Sequence, residues 1–236
     1  MIGQHFSSGV GMNRADDFFS RAMEPGLHPL NKAIFLGKAA VTAVKAAKKS
    51  PGDEKVKKAL NTTDNACREL SDMGEFIQLA FVREVRAELL TAIKKQVPAA
   101  GEYILAAQAR DSAIATGELD SKQKDSALFH KAHDYYYAGA SFERASLYED
   151  AANAFEEAAR TFVTCCSYDL ASRMYYATAS AYDNLGDPEN AQKAREHAQR
   201  LDTEDAIQTY VESPLTRLVI NNKARDRLRP QIGLED

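Results

Sequence analysis

Tryptophan is absent from this chain of 236 residues, and cysteine (3), proline (7) and glycine (12) are all sparse. The cysteines, Cys67, Cys165 and Cys166, make an odd number with no framework spacing. A disulfide scaffold is therefore excluded, and a reduced, cytoplasmic compartment is expected. Few glycines, few prolines and almost no β-branched runs, set against abundant alanine, disfavour strands and point to helix nearly throughout. No apolar run approaches the ~20 residues that cross a bilayer. Residues 1–11 lack the basic stretch and apolar core of a secretory leader, and secretion as an effector by another signal stays open.

Signatures of chemistry are missing as well. There is no Gly-x-Ser-x-Gly elbow, no phosphate loop, no Cys-x-x-Cys and no Glu-x-x-His. The chain is read as a non-enzyme with no cofactor and no metal. His130, His133 and Asp134 stand at i, i+3, i+4 spacing, which would place two imidazoles and a carboxylate on one helix face. With no further ligand set in view, a surface histidine pair is the expectation. Glu84 and Glu88 beside Arg83 and Arg86 read as a solvated ion-pair edge. Cys165 and Cys166 with His130 or His197 would make a thiol–imidazole pair, but cysteines inside helices are mostly inert.

The net charge of −4 hides an asymmetry. Residues 32–58 hold eight lysines against Asp53 and Glu54, and residues 102–160 hold eleven acids against six bases. Mild overall acidity argues against nucleic acid as a partner. The row Lys38, Lys45, Lys48 and Lys49, with Lys55, Lys57 and Lys58 beyond it, is either a solvated face or a contact for an anionic membrane surface.

Prolines punctuate the apolar periods. They predict helices over 13–23, 30–49, from Ser50-Pro51-Gly52-Asp53 to about 72, over 75–96, and from 99 to 116 after a break at Pro98. Further helices are predicted over 121–145, 149–165, 169–185 and, from the cap Asp187-Pro188-Glu189, to 201. Shorter ones follow over 203–211 and 215–228, the latter basic and amphipathic: either a cap or a docking element. The helix over 75–96 is apolar around much of its circumference, which predicts a central position.

What the chain does have is a repeated spacing. Tyr135, Gly139, Phe142, Tyr148, Ala151, Phe155 and Ala158 are answered 40 residues on by Tyr175, Ala179, Tyr182, Gly186, Ala191 and Ala198. Small residues let two helix backbones approach closely, and aromatics fill the wedge beside them. Repeats of this kind build stacks whose product is a binding surface.

On these residues, and on the strings Ala138-Gly139-Ala140-Ser141-Phe142, Tyr148-Glu149-Asp150-Ala151 and Ala181-Tyr182-Asp183-Asn184-Leu185-Gly186, the segment resembles tetratricopeptide repeats. Its longer period is similar to that of soluble NSF-attachment proteins. Arg195, where the family has an aromatic, and Pro188 just after the turn glycine depart from the pattern. The resemblance implies an all-α fold of antiparallel hairpins, stacked as an α-solenoid or an elongated bundle. The expected organisation is a flexible 1–12, helical hairpins or a bundle over 13–120, repeats over 121–201, and capping helices and a tail over 202–236.

The resemblance also sets a concave face. It would carry His133, Tyr136, Ala140 and Glu143 from one unit, then Arg173, Tyr176, Ser180 and Asp183 from the next. Lysine and asparagine of a peptide-carboxylate clamp are lacking there, which disfavours an acidic chaperone tail. The expected role is an adaptor that holds a helical or extended segment of another protein on His133, Tyr136, Glu143, Arg173, Tyr176 and Asp183. For Tyr136 and Tyr176, packing against a neighbouring helix is the competing reading. A secreted effector or secretion chaperone, and a peripheral membrane or trafficking adaptor, are the alternatives.

Overall fold

The computed structural model describes residues 7–49 and 51–202. Among them there are nine helices and no strand, so the chain is all-α as its composition requires. They are α1 (Ser7–Ala22), α2 (Pro29–Lys49), α3 (Asp53–Asp72), α4 (Phe76–Ala92), α5 (Gln96–Ala115), α6 (Ser121–Arg144), α7 (Tyr148–Thr164), α8 (Tyr168–Leu185) and α9 (Pro188–Leu201). Two compact units divide the chain, Met1–Leu147 and Tyr148–Asp236. The division leaves α6 with the helices before it, because α6 packs along α5.

In the first unit α2 packs on α1, α3 and α4, and α4 packs on α2, α3 and α5 and touches α6. The central place expected for α4 is what its circumferential burial produces: Leu79, Val82, Val85, Leu89 and Leu90 all lie inside. One core cluster joins Leu36, Leu70, Leu79 and Val82, with Phe19 and Phe35 against it. A second joins Met12, Val44 and Leu89, with Val56, Leu60 and Ile93 against it. Alanine fills the remaining contacts, among them Ala33, Ala40, Ala66, Ala80 and Ala106, and its small side chain allows close helix approach. In the second unit α8 packs on α7 and α9, over Phe155, Phe162, Ala171, Ala179 and Ala191.

Five of the helix ends share one device. The amides of Glu75, Lys95, Leu147, Ser167 and Asp187 donate to the carbonyls of Leu70, Leu90, Phe142, Phe162 and Tyr182 respectively. In each case the residue just before the donor has positive φ: Gly74, Lys94, Ser146, Cys166 or Gly186. This six-residue closure satisfies orphan carbonyls at a helix C-terminus. The acceptors Leu70 and Leu90 stand 20 residues apart, as do Phe142, Phe162 and Tyr182. One hairpin rhythm therefore runs through both units, including the part where the sequence shows no repeat motif. Between α5 and α6 the chain turns differently, through Gly117 at φ 74° and a capping box of Asp120 and Gln123.

Several boundaries differ from expectation. Pro98 does not separate two helices: the break lies at Lys94, φ 61°, and Pro98 sits in the first turn of α5, where its missing N–H costs nothing. Helix α3 has Gly52, not Ser50, at its N-cap. Helix α1 starts at Ser7 rather than at 13. Asp187 caps α9 as predicted, accepting from the Asn190 amide at 3.1 Å. The helices expected over 203–211 and 215–228, and with them the C-terminal cap or docking element, lie outside the described residues.

Candidate functional site

Helices α2 and α4 bury most of their apolar residues yet keep several large apolar side chains outside the core. Leu30 and Ile34 of α2 are 51% and 42% exposed, and Ile77 and Phe81 of α4 are 39% and 45% exposed. Between the two helices lies a depression of about 360 Å³, lined by Ile34, Gly37, Lys38, Val41, Gln78 and Phe81 among others. Beyond Gln78 and Phe81, which it shares, a second depression of about 610 Å³ continues toward α6, bounded by Ile77, Leu119, Lys122, Ala127 and His130. Glu84 and Arg110 also line it.

Arg110, on α5, is a buried guanidinium that donates to Asp134 of α6 and to Glu84 of α4. One cation thus ties three helices together. Asp134 is 1% exposed, and burial pushes its carboxyl up to about 9; Glu84 adds to that rise and Arg110 opposes it. Two carboxylates around one guanidinium, one of them fully buried, favour a retained proton. A second network joins α4 to its neighbours. Arg83 donates to Glu102 at 2.8 Å, and Arg86 reaches Asp64 at 2.7 Å and Glu102 at 3.0 Å.

These networks correct two sequence readings. Arg83, Glu84 and Arg86 are half-buried cross-links between helices rather than a solvated edge; of that group only Glu88, paired with Lys48 at 3.0 Å, is exposed. His130, His133 and Asp134 do not form one ligand face. Asp134 turns into the interior, His130 borders the larger depression, and His133 lies edge-on to Phe129 at 4.7 Å between ring centres. Burial, with His130 adding to it, pushes the His133 imidazole below its ordinary pKa. The described residues hold no cluster of three or more metal-ligating side chains.

The six predicted contact residues fall three to each unit. His133, Tyr136 and Glu143 belong to α6, and Arg173, Tyr176 and Asp183 to α8. Tyr136 is half-buried with its ring 5.1 Å from that of Tyr137, which itself packs 5.3 Å from Tyr103. Glu143 and Arg173 are exposed. Tyr176 is 43% exposed and its hydroxyl donates to Asp202 at 3.3 Å; the packed tyrosine of that pair is Tyr175, stacked on His197 at 5.2 Å. Asp183 is held by Arg195. Arginine where an aromatic was expected is thereby explained, since it ties α9 to α8.

Of the lysine row, Lys38, Lys45, Lys48 and Lys49 are all exposed. Lys38 lies 5.8 Å above the Phe35 ring. Of the cysteines, Cys67 is buried, which pushes its thiol up to about 11. Cys165 and Cys166 form the turn that follows α7, the second of them at its positive-φ position. What sequence reasoning missed is the apolar strip of Leu30, Ile34, Ile77 and Phe81 and the Arg110 cluster. The faint signal was residues 75–96 being apolar on more sides than a single contact needs.

No family model and no curated protein matches this sequence. Among solved structures the chain is similar to BtubC (BKLC) from P. vanneervenii, with a TM-score of 0.52 and 16% identity over 84% of this chain and 73% of that one. The likeness is one of fold.

Proposed function

We propose that the chain is a non-catalytic interaction protein that presents helical-hairpin surface to a helical or extended segment of a partner protein. The observation that carries this reading is the strip of large apolar side chains left exposed on α2 and α4, over a depression with few charges. Burying one such side chain on association is worth about 1.5–3 kcal/mol, and apolar surface gathered in one patch rather than scattered marks an interaction site. In the first unit the α6 residues His133, Tyr136 and Glu143, and in the second unit, separately, the α8 residues Arg173, Tyr176 and Asp183, are further candidate contacts for the same role. Exposed Tyr176 suits it best, whereas Tyr136 and Asp183 are engaged within the protein.

The test is capture of partners by the wild-type chain, then reconstitution with purified components. It compares an Ile77→Ser, Phe81→Ser variant with a Tyr136→Ala, Tyr176→Ala variant, both checked for helicity. Loss of a stoichiometric partner in either folded variant supports an adaptor and identifies the surface. A partner held equally by both variants, or none that reconstitutes, sinks the reading.

A peripheral membrane role has one observation in its favour: the four lysines of the α2 row all face solvent. Co-sedimentation with anionic vesicles that disappears on Lys45→Glu, Lys48→Glu and Lys49→Glu supports it, and co-sedimentation that persists removes it.

A further inference from the structure

Gly37 stands in the middle of α2, where glycine weakens a helix relative to alanine. A Cβ built at this position meets nothing within 4 Å. No packing partner inside the first unit therefore requires its lack of a side chain. The space it leaves is the floor of the α2–α4 depression, with Ile34, Val41 and Phe81 as walls.

Among the lining residues of this depression Lys38 is the one that carries charge, Lys45 lies about two turns further along α2, and Glu88 of α4 is engaged by Lys48. Ile34, Lys38, Val41 and Lys45 follow one another at i, i+4, i+7 and i+11, so they share a face of α2. Among the described residues no carboxylate pairs with Lys38 or Lys45, whereas Lys32, Lys48 and Lys58 are paired with Glu69, Glu88 and Asp16. Apolar walls, a floor with room for an added side chain and two uncompensated ammonium groups alternating with apolar residues define a complementary ligand.

Resting on the adaptor reading above, we infer that the α2–α4 groove docks an acidic amphipathic helix of a partner protein, with an apolar side chain over Gly37 and carboxylates beside Lys38 and Lys45. The stretch from Ile34 to Lys45 corresponds to roughly three helical turns, which sets the length of the docked segment. A groove favours a helix over a lipid surface, because an apolar side chain inserted between two helices is enclosed on both sides. A bilayer would instead engage a flat or convex basic face.

The experiment is a selection from a displayed library of peptides of about 16 residues on the full chain. Winners are then measured by fluorescence anisotropy against wild type, Gly37→Leu, the double variant Lys38→Glu, Lys45→Glu, and Tyr136→Ala, Tyr176→Ala. Leucine is a better helix former than glycine and has room at the site, so Gly37→Leu should fold with an unchanged or higher melting temperature. Phe81→Ser probes the opposite wall should Gly37→Leu not fold. Expected winners carry apolar residues at helical spacing flanked by aspartate and glutamate. They lose at least about tenfold in affinity on filling the groove or reversing the lysines, and they weaken as salt rises.

Winners flanked by lysine or arginine, or indifferent to Gly37→Leu and Phe81→Ser, overturn the inference. Winners sensitive only to the tyrosine variant overturn it while leaving the adaptor reading intact. Absence of any winner counts against both. Binding to phosphatidylserine vesicles that is lost with Lys38→Glu, Lys45→Glu, without acidic peptide winners, assigns the face to lipid and overturns it too.

Discussion

Cys166 illustrates what a single residue owes to its place in the turn. Its φ of 55° lies in the left-handed region, where any side chain bearing a Cβ is strained by roughly 1–2 kcal/mol. At the equivalent place of the next turn stands Gly186, φ 80°, with open space around its missing side chain. Replacing Cys166 by Gly should therefore stabilise the fold by about 0.5–1 kcal/mol, after allowing for glycine's greater freedom when unfolded. Gly186→Ala should destabilise it by a similar amount. Urea unfolding of the two variants checks this, and a loss of stability in Cys166→Gly would mean that the thiol itself holds the turn.

Asp134 makes a second residue-scale prediction. Its folded pKa, near 9, lies above the ordinary 3.8. Between those values the folded protein keeps a proton that the unfolded chain releases, so stability contributed by this group falls as pH rises. Asparagine mimics the protonated form and cannot ionise. The stability of Asp134→Asn relative to wild type should thus increase steadily with pH across that window. A difference that stays constant, or reverses, would show an aspartate ionised throughout.

At the scale of elements, Arg110 fastens α5 to α4 and α6. With its side chain 7% exposed, removing it alone by Arg110→Met leaves the buried Asp134 carboxyl and the partly exposed Glu84 without their donor, at a cost of about 3–5 kcal/mol. Removing all three charges together (Arg110→Met, Glu84→Gln, Asp134→Leu) should cost far less, because no group is then left without a counterpart. Denaturant titration distinguishes the cases; a triple variant weaker than the single one would mean that attraction, not desolvation, dominates the cluster. The helix ends show how much sequence says at this scale. The αL position at Gly74, Gly117 and Gly186 is legible from glycine, but Lys94, Ser146 and Cys166 take up the same conformation without announcing it. Pro98 misleads because proline is equally at home before a helix and within its first turn.

For the whole molecule, the two core clusters of the first unit draw on no residue beyond Ala109, and α6 completes that unit against α5. A chain ending at Leu147 is therefore expected to keep a cooperative thermal transition by circular dichroism. A truncated protein that is non-cooperative or aggregates would show that the second unit is needed for the first to fold.

Composition and periodicity alone determined that the chain is all-helical and where most helices end. Those properties are local: alanine content, turn residues and caps act within a few residues of where they stand. The tertiary structure decided which apolar residues go inside. Ile34 and Phe81 read like core residues because hydrophobicity carries no record of which neighbour will cover it, and only the packing of α2 on α4 leaves them at the surface. The same holds for the partners of Arg110. Glu84 and Asp134 are 26 and 24 residues away from it in sequence, and no spacing rule joins them until three helices are brought side by side.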